Sequence, residues 1–228
     1  MWGVLGVAIE QNLRHLERRI CGAAERAGRS PSEITVVAVT KQVEPWAIEA
    51  ALKAGISHFG ENRVQEAVSK VHLLSNTEPK PLWHMVGHLQ TNKVRTATEI
   101  FDIIHSVDSL RLAEAISRRA SKAMPILLQV NVSGEGTKSG FSVAELLLAA
   151  EEIARLPRLE VRGLMTIAPM VDDPEVVRTV FRKLRQLRDA LGLEHLSMGM
   201  SDDFEVAVEE GATMVRIGRA IFGERRQP

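Results

Sequence analysis

Ile34-Thr35-Val36-Val37-Ala38-Val39-Thr40 is a run of seven apolar and β-branched residues, followed by Lys41, then Gln42-Val43-Glu44-Pro45 and a helical pattern. A run of this kind without polar alternation reads as a strand buried on both faces, as in parallel sheets covered by crossover helices. A primary amine therefore stands where a rigid strand stops and a loop begins. An unperturbed lysine has a pKa of about 10.4, leaving roughly one amine in a few thousand uncharged at neutral pH, and partial burial or a nearby cation raises the nucleophilic fraction. Such an amine can form a Schiff base. It can equally snorkel from the strand end to solvent.

Working outward, comparable apolar runs fall at 34–40, 56–60, 82–87, 101–107, 126–132, 159–167, 195–200 and 214–218, which makes eight candidate strands. Helical patterns lie between them. Ser142-Val143-Ala144-Glu145 has the form of a capping box, and Asp173-Pro174 supplies an N-cap and first-turn proline before Val177, Val180, Phe181, Leu184 and Leu187. Ahead of the first strand, Ile9, Leu13, Leu16, Ile20, Ala23, Ala24 and Ala27 recur at spacings of three and four, a helix stopped by Gly28 and followed by Pro31. Strand and helix alternating eight times predict an α/β fold, a closed (β/α)₈ TIM barrel with an extra N-terminal helix, ahead of a doubly wound open sheet. No linker or low-complexity tract interrupts residues 1–228, so one domain is expected.

Composition narrows the function. Twenty-nine basic and 29 acidic residues cancel, so no global field draws nucleic acid or an anionic membrane. Cys21 is the only cysteine, which rules out an intrachain disulfide and lends secretion no support. The start MWGVLGVAIEQ has neither a basic leader region nor a long enough apolar stretch for a span, so a cytoplasmic protein is expected. No coiled-coil seam is visible, leaving a monomer or weak homodimer.

In such a barrel the active site lies at the C-terminal strand ends, with a phosphate often bound after strands seven and eight. Strand seven ends Ser197-Met198-Gly199-Met200-Ser201-Asp202-Asp203 and enters a helix through Phe204, so backbone N–H groups and the Ser201 hydroxyl can receive an anion. Ordinary capping of that helix by Ser201 or Asp202 is the competing reading. Strand eight ends Arg216-Ile217-Gly218-Arg219, placing a second glycine-containing turn at the same face. By strand alternation Arg216 shares the face of Gly218 and can point into the barrel mouth, to a ring nitrogen, to an anion, or to a core carboxylate such as Glu61. An aldehyde for Lys41, a phosphate for the Ser201 and Gly218 loops and a heteroaromatic nitrogen for Arg216 together describe pyridoxal 5′-phosphate.

The segments VVAVTK, FGENRVQE, WHMVGHLQTNK, QVN followed by KSGF, GLMTI, LSMGMSDDFEVAVEEGATMVRIG and AIFG resemble the pyridoxal phosphate homeostasis proteins, in that family's order and across nearly the whole chain. The resemblance implies a barrel similar to the N-terminal domain of alanine racemase, with the cofactor held as a Schiff base on Lys41. It further implies phosphate binding by Ser201 and the backbone of Gly218 and Arg219, Arg216 facing the pyridine nitrogen, a polar contact near the ring from Asn62, and His88 and Met165 as pocket lining. Arg219 stands where the family usually has threonine or serine, and Arg63 where many relatives carry tyrosine.

Other motifs read as structure. On one strand His84 and His88 would lie roughly 13 Å apart, too far to share a zinc ion whose nitrogen ligands sit at about 2 Å. The methionines at 85, 165, 170, 198, 200 and 214 read as core filling, Gly134-Glu135-Gly136 lacks a dinucleotide spacing, and Lys138 reads as a solvated loop lysine. The leading functional expectation is a carrier that buffers or delivers pyridoxal phosphate within the cell, with dependent apo-enzymes as partners, rather than a catalyst. The alternative is a cofactor-dependent amino-acid racemase; against it stand the absence of tyrosine, the racemase's opposite-face proton carrier, and no room in this sequence for a second domain. A Schiff-base aldolase comes third, since it leaves the anion loops unexplained.

Overall fold

The computed structural model describes residues 2–136 and 138–223. The first helix, α1 (Trp2–Arg26), buries Ile9, Leu13, Leu16, Ile20, Ala23 and Ala24 along one stripe, as their spacing predicts. Gly28, at φ +65, makes the left-handed turn that ends it. A short 3₁₀ turn capped by Ser30 then redirects the chain into β1 (Thr35–Val39).

From there strand and helix alternate: α2 (Pro45–Lys53), β2 (His58–Glu61), α3 (Val64–Leu73), β3 (Leu82–Met85), α4 (Val94–Ile100), β4 (Ile103–Val107), α5 (Leu110–Arg119) and β5 (Met124–Gln129). The second half continues with α6 (Val143–Ala154), β6 (Leu159–Met165), α7 (Arg178–Ala190), β7 (His195–Ser197), α8 (Phe204–Glu209), β8 (Met214–Ile217) and α9 (Arg219–Phe222). All strands pair in parallel with their chain neighbours, and β8 pairs back onto β1, so the sheet is a closed eight-stranded barrel. Both halves of the Ser142–Glu145 capping box form at the start of α6, and Asp173 caps a short turn that leads into α7.

Side-chain alternation sorts the strands into two environments. Ala38, Phe59, Ile104, Leu128, Leu164, Leu196 and Ile217 face outward into the large core beneath the helices. Val37, Val86, Ile103, Leu127, Met165 and Met214, with Val39, form a separate small cluster in the barrel lumen. Some strand ends differ from the sequence expectation. Phe101 is the C-cap of α4, so β4 starts at Ile103; Val130 makes only an isolated bridge to Phe141, so β5 stops at Gln129. β7 is cut short after Ser197 because Gly199 turns at φ +90. Met85, Met165, Met198 and Met214 are buried as expected, whereas Met170 is 99% exposed and Met200 37%. Both exceptions lie beyond strand ends and line the cavity of the mouth.

α1 packs against α2, α8 and α9 and so covers the seam where β8 meets β1. Leu16, only 2% exposed, sits in the middle of that contact. Leu16→Ala should cost about 2 to 5 kcal/mol in a denaturant titration, through lost transfer energy and the cavity left behind.

Candidate functional site

At the C-terminal end of the barrel a cavity of about 480 Å³ is lined by Val39, Asn62, Ser201, Arg216, Gly218 and Arg219, together with Val86, Ile167, Met170, Met200 and Asp202. Five of the six candidate binding residues therefore share one concave space. The sixth, Lys41, is not among its lining; it is half-buried, two residues beyond the lining residue Val39, and no described residue hydrogen-bonds its amine.

The backbone on both sides of Lys41 is fixed by a polar cluster outside the lumen. Lys70, on α3, donates to the Thr40 carbonyl at 2.6 Å and to Glu61 Oε1 and Glu66 Oε1, each at 2.7 Å. Glu66 Oε1 accepts the Gln42 N–H at 2.5 Å, and Thr40 Oγ1 donates to Glu61 Oε1 at 2.5 Å. Gln42 adopts φ +59, a left-handed conformation unusual for a side chain of its size, and the Glu66 bond holds it there. Burial raises the Glu61 carboxyl against the opposing hydrogen bonds from Lys70 and Thr40. Glu61 is thus committed to Lys70, and the Arg216–Glu61 pair that strand alternation allowed does not form.

On the opposite side of the mouth two loops meet. Gly199 makes the tight turn after β7, where an added Cβ would lie 2.6 Å from Ala207 Cβ, and its carbonyl accepts the Arg216 N–H at 2.9 Å. Asp203, not Ser201 or Asp202, is the N-cap residue of α8, and its carboxylate receives the Met200 N–H at 2.6 Å. Ser201 is thereby released from capping α8. Its hydroxyl instead accepts the Ala220 N–H of α9 at 3.4 Å, tying the seventh and eighth loops together. The Arg219 guanidinium is half-exposed and pairs with Asp202 across the same loops.

Arg216 is 5% exposed, and burial brings its pKa down to about 10, so it remains a cation at neutral pH. It donates to Ser197 Oγ at 2.7 Å and to the Thr166 carbonyl at 2.8 Å. No described carboxylate lies within ion-pair distance; Asp203 acts only from further away. Beyond Ser197, three lumen histidines follow in series: His105 Nδ1 to Ser197 Oγ at 2.8 Å, His84 Nδ1 to His105 Nε2 at 2.8 Å, and His58 Nδ1 to His84 Nε2 at 2.9 Å. Burial holds His84 down at about 3 and His105 well below the ordinary histidine value, and it lowers His58 as well.

These residues can be set beside known proteins. The profile of the alanine racemase N-terminal domain matches residues 8–226. A pyridoxal phosphate homeostasis protein of Aquifex aeolicus is 46% identical over 228 residues, covering 96% of this chain and 99% of the relative, and one of Escherichia coli K12 is 44% identical over 230 residues, covering 95% and 97%. The chain belongs to the pyridoxal phosphate homeostasis protein family. Among solved structures, PipY of Synechococcus elongatus with PLP bound superposes with a TM-score of 0.82 at 36% identity, over 94% of this chain and 100% of that one.

Within that family frame, His88 and Met165 sit away from the Arg216 cavity. His88 pairs with Asp108 at 3.2 Å and lines an adjoining cavity of about 340 Å³ with Asn62, Lys138 and Asn131, while Met165 is buried in the lumen. Lys138 is not solvated as expected: its side chain is 23% exposed and pairs with Glu135 at 2.8 Å. His84 spends both ring nitrogens on other histidines, so it does not act with His88. The Lys70 cluster and the histidine series went unread in the sequence. A Glu66–Lys70 spacing of four on α3, and one inward histidine on each of three strands, were the available signals.

The histidine series also predicts an acid-labile core. His84 has a folded-state value of about 3 against 6.5 for the free side chain, so the unfolded chain takes up the proton first as pH falls. Its contribution is unopposed above about pH 6.5 and is lost below it by about 1.4 kcal/mol per pH unit, down toward the folded value. Urea midpoints measured between pH 7 and pH 4 should fall, and the fall should be shallower in His84→Gln.

Proposed function

We propose that residues 1–228 form one barrel domain that binds pyridoxal 5′-phosphate through a Schiff base on Lys41, and that the protein buffers or delivers this cofactor in the cytoplasm to enzymes that need it. The single observation that carries the reading is Arg216. A buried cation with no described carboxylate in ion-pair contact has N–H donors left over, and it lines the same cavity as Ser201 and the start of α9.

The residues present fit the cofactor group by group. Pyridoxal phosphate supplies an aldehyde able to condense with a primary amine, and Lys41, two residues beyond the lining residue Val39, is an amine with no competing partner among the described residues. The Lys70–Glu66 clamp keeps the Lys41 loop from moving away from the mouth. Ser201 offers a hydroxyl, and the start of α9 offers the Arg219 backbone N–H, since the N–H groups of Ala220 and Ile221 are taken by Ser201 Oγ and the Gly218 carbonyl. Arg219 contributes its backbone in this arrangement, since its side chain is engaged by Asp202. Asn62, just past the end of β2, lines the same cavity and would offer its amide near the ring. An arginine opposite the pyridine nitrogen disfavours ring protonation and weakens the electron sink, which suits carriage better than carbanion chemistry. The relatives named as homeostasis proteins and the PLP-bound PipY structure support the same assignment.

Two measurements test it. Purified protein mixed with pyridoxal phosphate should develop the visible absorption of a lysine-bound pyridoxal, and Lys41→Ala should lose it; equal absorption in the variant would remove Lys41 from the site. Ser201→Ala should loosen the cofactor's phosphate by about 1 to 3 kcal/mol in equilibrium dialysis, the range for a charge-assisted hydrogen bond, and unchanged affinity would assign the phosphate elsewhere.

A further inference from the structure

The polar series in the lumen connects two openings of the barrel. His58 lines a cavity of about 290 Å³ at the N-terminal end, beside Glu17, Cys21 and Ser57, and Arg216 lines the cavity at the C-terminal mouth. Between them the hydrogen bonds run without a break through His84, His105 and Ser197.

Donor and acceptor counting gives this series a direction. A guanidinium has no lone pair, so Ser197 Oγ must accept from Arg216. Ser197 is fully buried, and its only other partner among the described residues is His105 Nδ1, so the hydroxyl proton is satisfied only by donation to that nitrogen. His105, being neutral, then carries its proton on Nε2 and gives it to His84 Nδ1; the same step repeats from His84 Nε2 to His58 Nδ1. His58 Nε2–H is left at the outer end of the series, on a residue that lines the cavity of the barrel floor.

We infer that Ser197, His105, His84 and His58 form one polarised hydrogen-bond chain, every histidine protonated on Nε2, that positions the Arg216 guanidinium and takes the place of a counter-anion for it. Each imidazole turns the lone-pair end of its dipole toward Arg216, and such links strengthen one another in a buried row. The other charged and titratable groups act from outside the row: Asp102 near His58, His195 near His84 and His105, with Glu194, Arg162 and Arg188 around His195, and Asp203 near Arg216. A carboxylate in Ser197's position would compete with a ligand acceptor for the guanidinium. A neutral chain holds the group in place and leaves its remaining donors for the cofactor ring nitrogen. This last role rests on the cofactor assignment above; the polarity of the chain does not.

The test has two arms. Imidazole nitrogen spectra of ¹⁵N-histidine-labelled protein without cofactor should show His58, His84 and His105 as neutral Nε2–H tautomers at pH 7. An Nδ1–H tautomer or an imidazolium at His84 or His105 would overturn the chain. In the second arm, Ser197→Ala should weaken pyridoxal phosphate binding about tenfold, as loss of a hydrogen bond to a charged group does, and displace the pH profile of the bound absorption, with Ser197→Thr restoring both. Unchanged binding and profile in Ser197→Ala would overturn the positioning role. Absence of absorption in the parent protein would instead sink the cofactor assignment, while the first arm still decides the chain.

Discussion

The pairing of β8 with β1 is the constraint on which the site depends. Its register sets Val37 beside Arg216 and Ala38 beside Ile217, so the strand that leads into Lys41 lies directly against the strand that leads into Gly218. These are the first and last strands of the sheet. In an open sheet they would be its two edges, and the amine would face the anion loops across the full width of the protein. Closure brings them to adjacent positions, and the N-terminal helix secures the seam: Asn12 donates to the Ile221 carbonyl at 2.9 Å, while Arg19 forms an ion pair with Glu205 at 2.8 Å. Arg29, just past that helix, donates to the carbonyls of Val208 and Ala212.

A barrel lumen is ordinarily filled by bulky branched side chains in layers. Here Val37, Val86, Ile103, Leu127, Met165 and Met214 occupy part of that space, and three histidines, a serine and an arginine share it with them. Polar groups in such a place are tolerated only when each finds a partner. The histidines meet this condition by bonding one another. On the outer face of the same strands, Glu61 and Lys70 make a second buried polar group, in which Glu61 Oε2 has no partner among the described residues. The mouth is therefore gripped from both sides of the sheet: from within through Arg216, and from outside through the loop that carries Lys41.

Much of this was legible from residue order. The eight apolar runs, the capping box at Ser142 and the apolar stripe of the first helix each report a local rule, periodicity or capping, and each reappears in the barrel. The candidate cavity was legible to the extent that it uses strand ends, because alternation tells which side of a strand Arg216 and Gly218 share. Less legible were contacts whose partners lie on different strands. Ser201 reads as a cap from its position before a helix, yet its hydroxyl is turned to α9 by a turn at Gly199 and by Asp203 taking the cap position. His58, His84 and His105 look unrelated along the chain, since their meeting depends on the register between separate strands. Met170 shows the opposite failure: an apolar residue close to a strand, exposed in the loop after β6.

Arg219 shows how a departure from the family pattern is absorbed. A free guanidinium beside a phosphate site would add a strong, long-range attraction. Its pairing with Asp202 neutralises that charge at short range, and with both side chains more than half exposed the pair is weak and screened by salt. The backbone N–H of Arg219 is unaffected by what the side chain does, because it is fixed by the start of α9 rather than by residue type. The Arg219–Asp202 pair lies on the lining of the same cavity as Ser201, so a doubly charged oxyanion bound there would compete with a single carboxylate for the guanidinium. On the phosphate assignment proposed above, an arginine in place of a hydroxyl at this position would leave the backbone donor in place and would change mainly how the charge of the site responds to ionic strength.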